Sequence, residues 1–305
     1  MRPEASRTSR ALLRAPRSSR VLRSVALLAT AAVLTVLTAC SSAPTSADTP
    51  HAESTAVPTP TATPDPFPKE PLTASTRYVA LGDSFAAGMG GGDEKGKCRL
   101  SPRAYPTVFA RDAGIDLVVN AACAGATTSD LLKHQLIALD DRTDLVTVSI
   151  GGNDLGVAAI AGDCAAGKAT ACRNEVTAAL SLLNVLPDRL DTVYSAIAQS
   201  APNARIVVTG YTLLYDASDP NAPDFGTAAA INAATLGLNE VIRQAVDEQR
   251  AAGKAMTYLP VDFAGHAIGD RKPWLNTTGP DVFHPTGAGY AEYASRLIQL
   301  LGKAH

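Results

Sequence analysis

Four short stretches of this 305-residue chain hold side chains that could do chemistry together. Gly82-Asp83-Ser84 puts a serine where the apolar run "YVALG" ends. "CAGATTSD" puts Gly125 ahead of Thr127 and Thr128, and Gly151-Gly152-Asn153-Asp154 closes the run "LVTVSIGG". Near the C-terminus, "GPDVFHPTGAGY" carries Asp281 and His284 three residues apart, followed by Pro285. A serine hydroxyl becomes a nucleophile when an imidazole takes its proton and a third group orients that imidazole. Donors are also needed where negative charge develops on the attacked carbonyl oxygen. Taken singly, Gly-Asp-Ser and Gly-Gly-Asn-Asp are ordinary turns and Asp-x-x-His is a frequent helix cap. Their order along one chain is what points to a serine hydrolase.

Those residues need a scaffold. Five β-branched runs recur after Arg77: "YVALG", "DLVVNAA", "LVTVSIGG", "RIVVTGY" and "MTYLPV". Helical periodicity fills the gaps at Tyr105–Ala113, Ser129–Leu139, Glu175–Gln199 and Ala229–Ala251, and a last helix is expected over Thr286–Leu301. Near-continuous apolar strands alternating with helices predict an α/β fold, a three-layer α/β/α sandwich on a five-stranded parallel sheet. In such a sheet ligands bind beyond the carboxyl ends of the strands, where strand order reverses. With the order 2-1-3-4-5, Ser84 would lie between the loops carrying Gly125 and Asn153. Pro285 disfavours helix at His284, so the histidine belongs in the approach to the last helix.

The stretches "ALGDSFAAG", "ACAGATTSDLL", "VTVSIGGNDLG", "YTLLY", "FAGH" and "DVFHPTGAGYAEYA" together resemble the GDSL-type esterases of the SGNH hydrolase superfamily, among them exported actinobacterial lipases. The resemblance runs from Tyr78 to the last helix and implies a flavodoxin-like SGNH fold. It implies Ser84 as nucleophile, His284 as general base and Asp281 as the residue orienting it. It also implies an oxyanion hole from the backbone N–H groups of Ser84 and Gly125 and the side chain of Asn153. Some members of the family use a backbone carbonyl in place of the aspartate. Many actinobacterial members carry a further cysteine shortly after the "FxGH" stretch; here "FAGHAIG" has none, which implies a looser loop around His266. The α/β-hydrolase alternative fits poorly. Its serine sits in G-x-S-x-G, whereas Ala86 takes the second glycine position here, and acid and histidine share one turn.

Seven arginines in the first 24 residues precede the uncharged run Val25–Ala39, the pattern of an export signal too short to span a bilayer as a helix. It ends in Leu37-Thr38-Ala39-Cys40, which resembles a lipobox, so residues 1–39 read as a signal peptide and Cys40 as a lipidated N-terminus. Its removal takes seven basic and one acidic side chain from totals of 27 and 29, leaving a net charge of −8. That acidity argues against a nucleic-acid partner. Residues 40–76, rich in Pro, Thr and Ser, read as a disordered tether, and 77–305 as the hydrolase domain. The remaining cysteines are even in number, as disulfides in an exported protein require. Three pairings exist; Cys98–Cys123 and Cys164–Cys172 are favoured because each pair flanks a loop-rich stretch. No metal or organic cofactor is expected.

Among the lesser residues, Asp83 is expected to brace the Ser84 turn and Asp154 to hold its own turn or cap a helix. His266 is expected to be structural, and His51 and His134 to face solvent. Trp274 and the loop Leu213–Phe225 could wall an acyl site. The reading is an extracytoplasmic, monomeric serine esterase, anchored through Cys40 or else secreted, that cleaves lipid or other acyl esters. An acetylated-polysaccharide esterase and an acyltransferase are the alternatives within the same chemistry. A non-catalytic glycan- or lipid-binding lipoprotein is the alternative outside it.

Overall fold

The structure is a computed structural model, in which residues 65–68, 70–220 and 224–305 are described. The expected signal peptide, Cys40, His51 and most of the tether lie outside those residues. Five parallel strands form one sheet: β1 Arg77–Gly82, β2 Asp116–Asn120, β3 Leu145–Ser149, β4 Arg205–Thr209 and β5 Met256–Leu259, in the order β2-β1-β3-β4-β5. Every residue of β3 is buried, as an inner strand covered on both faces must be, while β2 at the edge leaves Val118 and Val119 exposed. Each fully buried Val or Leu in these strands contributes about 1.5–3 kcal/mol by leaving water.

Eight helices surround the sheet among the described residues: α1 Ser84–Ala87, α2 Tyr105–Ala113, α3 Thr128–His134, α4 Val157–Ala165, α5 Ala169–Leu182, α6 Leu186–Ser200, α7 Phe225–Ala251 and α8 Gly287–Leu301. Helix α2 packs on α8, and α6 packs on α3 and α7, giving two helical layers. The apolar stripe of α8 (Tyr290, Tyr293, Ala294, Leu297, Leu301) follows the 3–4 residue spacing of a helix with one buried face. None of the described helices is long and apolar enough to cross a membrane.

Three expectations change. The helix expected over Glu175–Gln199 is two helices, because Pro187 cannot sit inside a helix and instead lies in the first turn of α6. The stretch between Cys164 and Cys172 is the turn of a helical hairpin: α4, which periodicity did not reveal, is bonded to α5 through these cysteines. Cys98 and Cys123 form the second bond. By the chain-entropy argument the two loops are worth roughly 2.6 and 3.5 kcal/mol respectively. The tether also ends earlier than residue 76. Leu72 is fully buried and Phe67 packs on the core, while Arg205 donates to the Glu70 carbonyl at 2.7 Å. Two large apolar side chains, Phe67 and Leu72, hold this segment against the domain.

Candidate active site

The turn at the end of β1 is dictated by contact with β3. Gly82 has φ +135°, and a Cβ there would lie 2.3 Å from the Ser149 carbonyl oxygen, so only glycine fits. Asp83 donates its N–H to Ser149 O at 2.9 Å, and its Oδ1 accepts from Phe85 N at 3.0 Å, capping α1. Ser84 is thereby fixed as the first residue of a one-turn helix. Asp83 does brace this turn. Its Oδ2 accepts the Tyr211 hydroxyl, and that oxygen in turn accepts from Gly152 N at 3.2 Å. Burial pushes the Asp83 carboxyl up to about 7, against the lowering effect of the Tyr211 bond. Tyr211 therefore ties the serine turn to the Gly151–Asp154 loop, a role hidden in the sequence inside the "YTLLY" motif.

Two loops flank Ser84, as the strand order requires. Gly125 has φ +83° in a turn closed by Ala126 N to Cys123 O at 3.0 Å. Asn153 donates one Nδ2 hydrogen to Ala126 O at 3.0 Å, which leaves the second hydrogen available. Among the described residues, the N–H groups of Ser84 and Gly125 are in none of the backbone–backbone hydrogen bonds of the turns and loops. Asp154 links the same two loops: its oxygens accept from Thr128 N at 2.9 Å and Thr128 Oγ1 at 2.6 Å, with Arg189 3.3 Å away. It caps the first turn of α3 from across the sheet end.

His284 arrives from the loop before α8. Its Nε2 lies 2.8 Å from Ser84 Oγ, and burial lowers its pKa below the usual histidine value. Phe283 takes φ +72°, and Asn276 receives the loop: Asn276 N donates to His284 O at 2.9 Å and Asn276 Nδ2 to Gly90 O at 3.1 Å. Among the described residues the imidazole Nδ1 faces the Val282 carbonyl at 3.2 Å, and the Asp281 carboxylate meets Arg99, its buried Oδ1 2.7 Å from a guanidinium nitrogen. The physical reason is the turn itself: His284 N donates to Asp281 O at 3.0 Å, so the backbone curls with the carbonyl of Val282 nearest the ring. Nothing in the spacing Asp-x-x-His distinguishes these outcomes. Asn276 and Arg99 carried no sequence signal at all.

Ser84 and His284 line an apolar cavity of about 280 Å³. Its wall comes from α4, α5 and α7, with Ile160, Val176, Ala179, Ile231 and Leu238 among the lining residues. Of the described residues of the loop Leu213–Phe225, Leu214 alone lines it. Trp274 does not line it; the indole stacks on His266 with ring centroids 3.7 Å apart and packs edge-on against Phe263. His266 is otherwise engaged with Lys272 O at 2.8 Å, a structural placement, and His134 is exposed. No cluster of three or more metal-ligating side chains occurs among the described residues.

Residues 80–292 match the GDSL-like Lipase/Acylhydrolase family. The chain is 37% identical over 227 residues to Lipase 1 of Streptomyces coelicolor, covering 71% of this chain and 83% of that protein. It is 36% identical over 233 residues to a lipase of Streptomyces rimosus, covering 73% and 85%. Among solved structures it is similar to the extracellular lipase of Streptomyces rimosus, with a TM-score of 0.67 over 74% of this chain and all of that one. Phospholipase A1 of Streptomyces albidoflavus NA297 superposes with a TM-score of 0.66 at 37% identity, over the same shares. With a five-stranded parallel sheet and a serine turn of this form, the chain belongs to the GDSL-like lipase/acylhydrolase family and is a carboxylic ester hydrolase.

Proposed function

We propose that the protein is an exported serine lipase or esterase in which Ser84 and His284 work as a pair and the Val282 carbonyl takes the place of the acid. With Nδ1–H donated to Val282 O, Nε2 is left as the acceptor for the Ser84 proton. Ser84 Oγ attacks the ester carbonyl as His284 removes that proton, and the oxyanion is met by the N–H groups of Ser84 and Gly125 and the free hydrogen of Asn153 Nδ2. His284 then protonates the leaving alcohol and activates a water that releases the acyl group from Ser84. No step calls for a metal or an organic cofactor.

The observation that carries this reading is the 2.8 Å contact between Ser84 and His284 in the wall of an apolar cavity. A non-catalytic binding protein would have no use for that contact. The cavity favours a fatty acyl chain over acetyl, which would leave most of about 280 Å³ unfilled. The relatives named as lipases and a phospholipase A1 support lipid esters as the substrate class. Export is supported by the basic and apolar front of the chain and by two disulfides, which suit an oxidising compartment. Lipidation at Cys40, with the anchor as the sole contact with a membrane, completes the reading, and the domain acts as a monomer.

Hydrolysis of p-nitrophenyl esters from acetate to palmitate, by the full chain and by Ser84→Ala, tests it. The expected result is activity that rises beyond acetate and disappears in the variant. Activity undiminished in Ser84→Ala would remove Ser84 as nucleophile, and a strict preference for acetate would move the substrate to acetylated polysaccharides.

A further inference from the structure

The ion pair between Arg99 and Asp281 joins the loop after α1 to the turn that carries His284, two segments that also touch at Gly90. Asp281 lies at the start of the turn whose far end is His284, and His284 N donates to Asp281 O. Arg99 belongs to the segment opposite. It takes φ +56°, uncommon for a residue with a side chain, and it follows Cys98, which is bonded to Cys123. Ala124 N also donates to Cys98 O at 3.1 Å, so the backbone beside Arg99 is fixed to the turn that presents Gly125. Glu94 steadies the guanidinium from the other side at 3.7 Å. Its own Oε1 accepts from Gly90 N at 2.8 Å and Gly92 N at 3.1 Å.

We propose that Arg99 and Asp281 are positioning residues, a latch that holds the His284 turn at a fixed distance from the Gly125 turn. This rests on the assignment of Ser84 and His284 made above. Three observations carry it. The carboxylate faces Arg99 and the imidazole nitrogen faces a carbonyl, so Asp281 acts on the site through the backbone it belongs to. Arg99 is tied covalently and by a backbone hydrogen bond to the loop bearing a candidate oxyanion donor. The side chains are 32% and 25% exposed and Asp281 Oδ1 is buried, so thermal unfolding must stay unchanged for a loss of activity to report on geometry. Displacing a reacting group by about 1 Å can cost as much as 10²-fold in rate.

The test is the kcat and KM of the full chain carrying Arg99→Asn, Asp281→Ala, both together, and Arg99→Lys, with the p-nitrophenyl ester that wild type prefers. Asparagine suits the left-handed backbone at position 99, and thermal unfolding of each variant controls for folding. The latch predicts that each single change lowers kcat about 10-fold with KM little altered. The double variant should fall no further than the worse single, and Arg99→Lys should recover most of the loss. A loss of 10³-fold or more in Asp281→Ala beside a near-normal Arg99→Asn would make Asp281 the orienting acid and overturn the latch. Losses that multiply in the double variant, or singles that unfold at lower temperature with kcat intact, would overturn it too. A wild-type chain inactive on every ester would overturn the esterase reading itself, a result distinct from any of these.

Discussion

The residue types that shape the Ser84 turn fall within seven positions, Gly82 to Gly88, even though they pack against Ser149 and Tyr211, whereas His284 is held by groups at positions 90, 276 and 282 and by the turn from Asp281. On the serine side, one glycine is forced by a 2.3 Å approach, one aspartate caps the helix, and one glycine at φ +86° ends it. Each of these residues has a physical reason readable from its neighbours. On the histidine side, the partner of Nδ1 is a backbone carbonyl, which every residue owns. Its orientation comes from Phe283 at φ +72° and from contacts across nearly 200 residues of chain. Local constraints are written as residue types; constraints assembled from afar are written as geometry.

The comparison can be broken most forcefully on the oxyanion side. Asn153→Ala removes the one candidate donor that is a side chain, and kcat is expected to fall about 10²–10³-fold with KM nearly unchanged. Near-normal turnover in steady-state assays would take Asn153 out of the oxyanion hole and leave only the backbone donors of Ser84 and Gly125.

A smaller effect sharpens the histidine side. Burial lowers the pKa of His284, and the base must be neutral to accept the Ser84 proton. Activity is therefore retained below the ordinary histidine value of about 6.5 and lost as pH falls through the lowered value. The same sign holds for stability. A histidine whose folded pKa is depressed contributes stability that is present above about 6.5 and lost as pH drops through the folded pKa. Asp83 titrates higher, near 7, so Asp83→Asn should leave the acid limb of kcat/KM in place. An acid limb at or above 6.5 in wild type, or one that disappears in Asp83→Asn, would assign the titration to a different group.

The same contrast explains what the sequence made legible. Alternating apolar runs and helical segments gave the five parallel strands, because inner strands such as β3 must be apolar on both faces, while their order entered only as a condition that the sheet then met. Ser84, Gly125, Asn153 and His284 do converge at the carboxyl end of the sheet, with the first and last in contact. The α4–α5 hairpin was not legible. Its alanine-rich α4 has no strong alternation of polar and apolar residues, and its inner face serves a cavity rather than the core. Leu72 was lost inside a proline-rich stretch whose composition, averaged, argued for disorder. The Arg99 partner of Asp281 was not legible because three-residue spacing brings a carboxylate near an imidazole without saying which way either turns.

The central claim is that Ser84 is a nucleophile made reactive by His284. Labelling the full chain with a fluorophosphonate, a reagent that captures activated serines, and locating the adduct by peptide mass spectrometry tests it directly. The account predicts one adduct per chain, on Ser84, formed at least 10³-fold more slowly in His284→Ala. An adduct on another residue, or labelling of Ser84 at an undiminished rate without His284, would contradict it.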